Sequence, residues 1–386
     1  MSTHAGSASA KSELNLPPVD LEKLLEIPSP ALIYFADRIQ DNIQQMISMT
    51  GDANRLRPHC KTHKSADIVA MLLASGIKHH KAATISEVEM LAMAKVPDVV
   101  LAYCAVGPTV TRVANLMQQY PNTKVTVTVD HQASLNHLSK VMADRDLEVG
   151  VLLDLNVGQN RTGIDVTSPD AIKLYQLMHQ LPGIRPAGFQ AYDGHVRESD
   201  FATRTAQVSS SFEQVLELKA NCEAKMLPVH EVLCGGTPTF PIYAAMTQPE
   251  IRCSPGTCVL HDSGYGTAFP DLPFKPAAGV LTRIVSRPAA NLITLDLGNK
   301  AIAADPPMER RAHFPEILDA KIIGHNEEHM VLQSDSCGKF ELGQLLLAIP
   351  GHVCPTSALY PTALVMKNGC ITDHWQITAR NRKINL

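Results

Sequence analysis

The sequence lacks the features that mark secreted, membrane or disulfide-stabilised proteins. Its nine cysteines form no CxxC pair and no regular framework, and their odd number leaves at least one unpaired. We therefore expect free thiols in a reducing, cytoplasmic setting. No apolar run approaches the roughly eighteen residues of a transmembrane helix. The first twenty residues contain no apolar segment of the kind found in secretory signals.

The sequence also lacks a strong charge and a dinucleotide-binding fingerprint. The formal net charge of -4 gives no reason to expect nucleic acid or an anionic membrane as a partner. No GxGxxG motif follows the first apolar run, which removes the main support for a doubly wound sheet.

Apolar runs rich in β-forming residues alternate with amphipathic helical stretches over most of the chain. Such alternation, repeated every 25 to 40 residues or so, predicts parallel βαβ units. Several of the runs end in polar residues, as strands do at the catalytic face of a (β/α)₈ barrel. We therefore predict an α/β fold built on a TIM-type (β/α)₈ barrel. The predicted strands are 31–35, 99–103, 124–129, 148–155, 187–192 and 231–234.

The pattern of predicted secondary structure changes after residue 258. Short strand-like runs, broken by Pro, Gly and Asp, continue to the end without convincing helices between them. We predict a disordered tail at 1–16, the barrel at 28–258, and a β-rich second domain formed by 17–27 together with 259–386.

The most distinctive stretch is 57–64, Arg-Pro-His-Cys-Lys-Thr-His-Lys. It precedes a predicted helix at 65–75, and a cation-rich segment that leads into a helix is where α/β proteins often place chemistry. On composition alone a solvated basic face is the commoner explanation. Lys61 is the candidate reactive lysine.

Three further motifs follow predicted barrel strands, and each has an ordinary structural alternative. Arg161 lies in a Gly-bracketed loop, and Tyr192 ends a strand where an aromatic residue is usually part of the core. Gly235-Gly236-Thr237, with Gly256-Thr257 further on, can cradle a phosphate through backbone N–H groups, but it is also an ordinary tight turn.

His352 and Cys354 form a His-x-Cys pair in the second domain. In an extended segment their side chains would point to the same side. Imidazole and thiolate are zinc ligands, and two protein ligands leave positions open for water or substrate. A lone His-x-Cys is a weak motif by itself.

The order of these motifs resembles the fold-type III pyridoxal-phosphate enzymes, the alanine racemase-like group. Within that group the chain is similar to the metal-dependent branch of D-serine dehydratase, D-threo-3-hydroxyaspartate dehydratase and D-threonine aldolase. The resemblance extends from about residue 27 to the end, and motif 58–64 is its most specific part. It implies a barrel with a β domain, a homodimer, and pyridoxal 5'-phosphate with a divalent metal, zinc or alternatively manganese.

The resemblance also implies roles for individual residues. Lys61 would bond to the cofactor aldehyde and take the Cα proton of a D-amino acid. The other expected cofactor contacts are Arg161 at the phenolic oxygen, Tyr192 at the ring, and Gly235, Gly236, Thr237, Gly256 and Thr257 at the phosphate. His352 and Cys354 would hold the metal.

Two points depart from a simple transfer of roles. Many relatives place an arginine immediately before the Pro-Gly of the phosphate segment, whereas this chain has Ser254, with Arg252 two residues earlier. The partner of the pyridine nitrogen therefore stays open. For cleavage between Cα and Cβ the base could be His63 or a metal-bound hydroxide.

The expected activity is that of a lyase acting on D-3-hydroxy amino acids, with dehydration to a keto acid and ammonia preferred. D-threonine aldolase is the alternative. It ranks second because the resemblance implies that aldolases more often have an aspartate where this chain has Cys354. A racemase using Tyr265 as second base, and a non-catalytic pyridoxal-phosphate carrier, are more remote alternatives.

Overall fold

A computed structural model describes residues 14–386. Within this range the strands form two sheets, one parallel and one largely antiparallel. In chain order the strands are β1 (Ala31–Phe35), β2 (His79–Ala82), β3 (Asp98–Cys104), β4 (Lys124–Val129), β5 (Val149–Asn156), β6 (Ile164–Asp165), β7 (Ile184–Ala191), β8 (Glu231–Cys234), β9 (Ile251–Cys253), β10 (Ala278–Ala289), β11 (Leu292–Leu295), β12 (Ala312–His313), β13 (Lys321–His325), β14 (Met330–Gln333), β15 (Leu345–Pro350), β16 (Thr362–Lys367) and β17 (Cys370–Gln376).

The helices of the described chain begin mostly after strands, as βαβ connections require. They are α1 (Ala36–Thr50), α2 (Ala66–Ala74), α3 (Ile85–Met93), α4 (Pro108–Gln119), α5 (Gln132–Ala143), α6 (Pro169–Met178), α7 (Phe201–Glu223), α8 (Phe240–Ala245), α9 (Ser263–Ala268) and α10 (Val353–Leu359).

The parallel sheet closes into a barrel through an irregular segment, residues 56–59. The regular strands run in the order β2-β3-β4-β5-β7-β8-β9. On one side of the closing segment Arg57 N–H donates to the Cys253 carbonyl at 2.8 Å. On the other side Lys81 N–H donates to the Pro58 carbonyl at 2.9 Å. These seven strands and the closing segment make up the predicted (β/α)₈ barrel.

Burial explains why these segments are strands of a barrel. Residues 149–155 of β5 are all buried, as expected for a strand packed between a barrel interior and a layer of helices. On the outside, helices such as α1 bury only one face, which carries Ile39, Ile43 and Met46.

The second sheet begins and ends far apart in the sequence. Its strand order is β13-β14-β11-β10-β1-β16-β17, with β15 beside β10 and β12 beside β15. β1 lies at its centre, antiparallel to β10 and parallel to β16. The barrel therefore starts after β1, later than the predicted boundary at residue 28. The predicted tail at 1–16 lies almost wholly outside the described residues.

The sequence suggested a second domain without helices, but the structure has helices there. The α10 helix begins directly after His352, and Pro355 stands in its first turn, where the missing N–H of proline has no helical partner to lose. Among residues 14–386, no helix combines the length and the apolar character needed to cross a membrane.

Arg57 lies at the end of the barrel opposite to Lys61. Its buried guanidinium pairs with Asp98 at 2.5 Å and Glu231 at 3.0 Å, at the starts of β3 and β8. Although burial opposes it, hydrogen bonding from His79 and the charge of Arg57 hold the pKa of Asp98 below its usual range. The first residue of motif 57–64 is therefore structural.

Arg57→Met is expected to destabilise the protein by about 3 to 5 kcal/mol, because it removes a buried cation from Glu231 and leaves Asp98 with only the more distant His79 and Lys124, each at 3.6 Å. Urea unfolding followed by circular dichroism measures the change. Lys140→Met, which removes an exposed pair with Asp144, is the control and should cost less than about 0.5 kcal/mol. Equal effects of the two substitutions would contradict the structural role of Arg57.

Candidate active site

A cavity of about 560 Å³ opens at the carboxyl ends of the barrel strands. This is the end at which (β/α)₈ barrels place their active sites. Of the predicted site residues, Lys61, Arg161, Tyr192, Gly236, Thr237, Gly256 and Thr257 line it. Residues more than 190 positions apart thus meet in one cavity.

Lys61 follows the closing segment and lies in a short 3-10 turn, Cys60–Thr62. The turn is held by His59, whose Nδ1 accepts from the Lys61 backbone N–H at 3.3 Å. Burial, together with the neighbouring lysine ammonium groups, holds the pKa of His59 well below its usual range. His59 is therefore a neutral imidazole in the cavity wall, with its Nδ1 already engaged.

His63 is buried and does not line the cavity. Its Nδ1 accepts from the Ser65 backbone N–H at 3.2 Å. Burial, and then the charge of His80, lowers the pKa of His63 to about 3. Lys64 is likewise occupied, because its ammonium pairs with the buried carboxylate of Glu87. Only part of motif 57–64 therefore faces the cavity.

Tyr192 follows β7, and cations lie against its ring. The Arg161 guanidinium carbon lies 5.0 Å from the ring centroid, within the range of a cation–π contact. Gly194 and Gly236 make room for the ring, since a Cβ would lie 2.5 Å from it at Gly194 and 3.0 Å from it at Gly236. Glycine is therefore needed at these two positions because a side chain would collide with the Tyr192 ring.

The two segments of the predicted phosphate site are tied together. The Thr257 N–H donates to Thr237 Oγ1 at 3.0 Å, and the Gly236 N–H donates to Thr239 Oγ1 at 3.1 Å. Gly235 does not line the cavity; with φ +75° it turns the chain at the end of β8. The turn is therefore preformed, with Gly236, Thr237, Gly256 and Thr257 at its surface.

His352 and Cys354 are close together, but not in an extended strand. His352 is the N-cap of α10, with extended dihedral angles, and Cys354 lies in the first turn of the helix. Although burial opposes it, the neighbouring Cys354 and Asp305 raise the pKa of His352 to about 9. Asp305 lies 2.6 Å from Nδ1 of His352, a contact that favours the tautomer with its proton on Nδ1 and the lone pair on Nε2. Sequence reasoning did not find Asp305.

Cys354 and His352 do not line the cavity, but Cys354 lies against residues at its wall. Its Sγ lies 3.3 Å from Thr62 Oγ1, next to Lys61, and 3.5 Å from Thr257 Oγ1 in the phosphate turn. The sulfur atom of the predicted metal pair thus contacts both the neighbour of the candidate lysine and the phosphate turn.

The cavity also contains polar residues that sequence reasoning did not assign. Lys81, at the end of β2, and Ser254 contact each other there, whereas Arg252 donates to the carbonyls of Pro249 and Ile251 and does not line the cavity. Gln190 donates to Asp154 at 2.8 Å, and burial raises the pKa of that carboxyl. The predicted strands did not include β2, so nothing in the sequence placed Lys81 at a barrel strand end.

Two other groups of potential metal ligands occur in the described chain. In His59, Cys60 and Glu87 the carboxylate is already occupied by Lys64. The second group, Cys104, Asp130 and Asp154, lies at the ends of β3, β4 and β5. There Asp130 accepts from Gly163 N–H and Asp154 from Gln190, so both carboxylates have protein partners.

This barrel, with a lysine, a phosphate turn and a metal-type pair at one end, defines a pyridoxal-phosphate type of site. Residues 36–259 match the family "Alanine racemase, N-terminal domain", and residues 277–366 match "Putative serine dehydratase domain". The chain belongs to the alanine racemase-like family of fold-type III pyridoxal-phosphate enzymes. The predicted fold, the family and an enzyme of the lyase class are thereby confirmed.

Individual relatives cover nearly the whole chain. A D-threonine aldolase of Arthrobacter sp. is 29% identical over 93% of this chain and 94% of its own length. A D-threo-3-hydroxyaspartate dehydratase of Delftia sp. is 23% identical over 92% of this chain and 98% of its own. The crystal structure of D-threonine aldolase from Filomicrobium marinum has a TM-score of 0.86 and 27% identity, covering 92% of this chain and 97% of that one.

Proposed function

We propose that this protein is a pyridoxal-phosphate- and zinc-dependent lyase of D-3-hydroxy amino acids, and that it acts as a dehydratase giving a keto acid and ammonia. The observation that carries the proposal is the position of Cys354, which contacts Thr62 beside Lys61 and Thr257 in the phosphate turn. A proton acceptor and a metal site can there act on adjacent atoms of one small substrate.

The residues of the cavity fit an anionic cofactor. Lys61, Lys81 and Arg161 line it, while Asp154 is the carboxylate among its described lining residues. The hydroxyl groups of Thr237 and Thr257 can donate to a phosphate there, whereas the N–H groups of Gly236 and Thr257 already donate to threonine side chains. Pyridoxal phosphate, when bound, stores the electron pair released at Cα of the substrate.

Each remaining role falls to a side chain of this protein. Lys61 Nζ would hold the cofactor aldehyde and then accept the Cα proton. Arg161 would neutralise the phenolic oxygen while keeping its contact with Tyr192. His352 Nε2 and Cys354 Sγ would hold the metal ion, with Asp305 fixing the imidazole, and this site would supply a Lewis acid for the 3-hydroxyl.

The histidines of motif 57–64 favour dehydration over the aldolase route. Cleavage between Cα and Cβ needs a base for the hydroxyl proton, whereas loss of hydroxide needs only a Lewis acid at that oxygen. His59 and His63 each use Nδ1 to accept a backbone N–H, so each neutral ring carries its proton on Nε2. Neither ring is poised as a base.

The second candidate function is D-threonine aldolase. The observation in its favour is that the aldolase of Arthrobacter sp. is more similar to this chain than the Delftia dehydratase, at 29% against 23% identity. A metal-bound hydroxide would then take the hydroxyl proton.

A product assay separates the two functions. The purified protein, supplied with pyridoxal phosphate and zinc, is offered D-serine, D-threonine and D-threo-3-hydroxyaspartate, each beside its L-enantiomer. We expect ammonia and a keto acid from a D-substrate, and no product from the L-enantiomers. Glycine with an aldehyde would instead establish the aldolase.

Two other outcomes would overturn the lyase. Interconversion of D- and L-amino acids would indicate a racemase, with Tyr265 as the second acid–base group in the cavity. Bound cofactor without any product would indicate a carrier. The homodimer stays a prediction, which light scattering tests.

A further inference from the structure

Lys81 is a buried cation without a carboxylate partner. Its residue is 4% exposed, and its Nζ donates to Ser254 Oγ at 3.2 Å. In the described chain the other deeply buried cations have acidic partners: Arg57 pairs with Asp98 and Glu231, and Arg204 with Asp271. No described carboxylate forms an ion pair with Lys81. Buried charges are normally paired or else neutralised, so a charged Lys81 needs a counterion that the described residues do not place in contact with it.

The surroundings of Lys81 show where that counterion binds. Lys81 lines the cavity, and its Nζ lies 5.7 Å from the centroid of the Tyr192 ring, the ring that also contacts Arg161. Ser254 donates its own proton to the Gly235 carbonyl at 3.0 Å. Ser254 therefore accepts from Lys81 and holds the amine, while the remaining N–H groups of Lys81 are left for a ligand.

We propose that Lys81 is a second functional lysine of this site, which contacts the bound pyridoxal phosphate as its ionic partner and tunes the charge on the cofactor. This inference rests on the cofactor binding proposed above. Lys61 forms the bond to the cofactor, and Lys81 supplies the charge. Ser254 is the positioning residue that holds Lys81 in place.

The charges around Lys81 agree with this role. Burial, and then the charge of Lys61, lowers the pKa of Lys81 to about 7. An arriving phosphate or phenolate favours the ammonium form again. The titratable and charged groups that face Lys81 are His59, Lys61, Asp154, Arg161, Asp193 and Cys234.

The experiment measures the cofactor rather than turnover. We would record the dissociation constant of pyridoxal phosphate and the pH midpoint of its visible absorbance in the full-length protein. Lys81→Met is expected to weaken binding at least about tenfold. It should also raise the midpoint by about one pH unit, because loss of a nearby positive charge makes protonation at the bound cofactor easier. Lys81→Arg, which keeps the charge, should restore the midpoint.

Lys78→Met is the matched control, since Lys78 is exposed three residues earlier. Ser254→Ala should shift both quantities in the same direction as Lys81→Met, and it keeps the test valid if Lys81→Met does not fold. The proposal fails if Lys81→Met, or Ser254→Ala in its place, behaves like the control.

A separate measurement distinguishes this inference from the proposed function. Borohydride reduction followed by peptide mass spectrometry identifies the lysine bonded to the cofactor. We expect Lys61. A label on Lys81 would overturn the role proposed for Lys81 and also the assignment of Lys61. A wild-type protein that takes up no pyridoxal phosphate would overturn the proposed function itself.

Discussion

Lys61→Ala is expected to lose the visible absorbance of the imine between lysine and pyridoxal phosphate and to lower kcat by about 1000-fold or more. The substitution removes both the amine that bonds to the cofactor and the proton acceptor at Cα, and a positioned acid–base group alone contributes 10²- to 10⁴-fold or so. Absorbance spectra and the product assay on the purified variant measure the two effects. The phosphate turn is untouched, so the variant should still bind the cofactor, though more weakly.

Lys61→Arg is the informative companion variant. It keeps the positive charge in the cavity but can neither bond to an aldehyde nor give up its proton near neutral pH. We therefore expect it to be as inactive as Lys61→Ala. A yellow and fully active Lys61→Ala variant would contradict the assignment of Lys61, and Lys81, in the same cavity, would become the first residue to examine.

Cys354→Ala is expected to lose the metal and about 1000-fold or more of the activity, while retaining the cofactor. A Lewis acid at the hydroxyl contributes several kcal/mol, and about 4 kcal/mol corresponds to 1000-fold. Metal content by mass spectrometry, cofactor absorbance and the product assay measure the three quantities. A chelator should reproduce the effect in the wild-type protein.

Matched variants test whether His352 and Cys354 hold the metal. Cys370→Ala removes an exposed cysteine of the same domain and should change nothing. Asp305→Asn should weaken metal affinity by about 10- to 100-fold, the usual effect of removing the group that orients a ligating histidine. Because a ligating thiol and imidazole must release protons, metal affinity should fall as the pH is lowered. Loss of the cofactor together with the metal would instead mean that the metal is structural.

The barrel and most of its site were predictable because their signals are local. Each parallel strand, such as β5, reads as a short apolar run with polar residues at its end, and the order of the motifs along the chain follows the order of the strands. Lys61, Arg161, Tyr192 and Thr237 are accordingly found in one cavity. Their chemical roles there stay predictions.

The remaining features depend on contacts that a local pattern does not contain. The place of β1 is decided by β10 and β16, whose sequences lie at the other end of the chain. The same holds for Lys81, whose importance comes from the lack of an acidic neighbour, and for Asp305, which reaches His352 across 47 positions. Only α10 had an overlooked local signal, in Pro355.

The central position of β1 has a consequence for the synthesis of this protein. β1 ends at Phe35, and its neighbour β10 begins at Ala278, 243 positions later. At roughly 5 to 20 residues per second, the ribosome needs on the order of 10 to 50 s to make that neighbour. During this time the buried, β-forming segment β1 lacks its sheet neighbours, while the barrel that follows it is being synthesised. The site, which needs Cys354, is completed later still, because Cys354 follows the start of β10 by 76 positions.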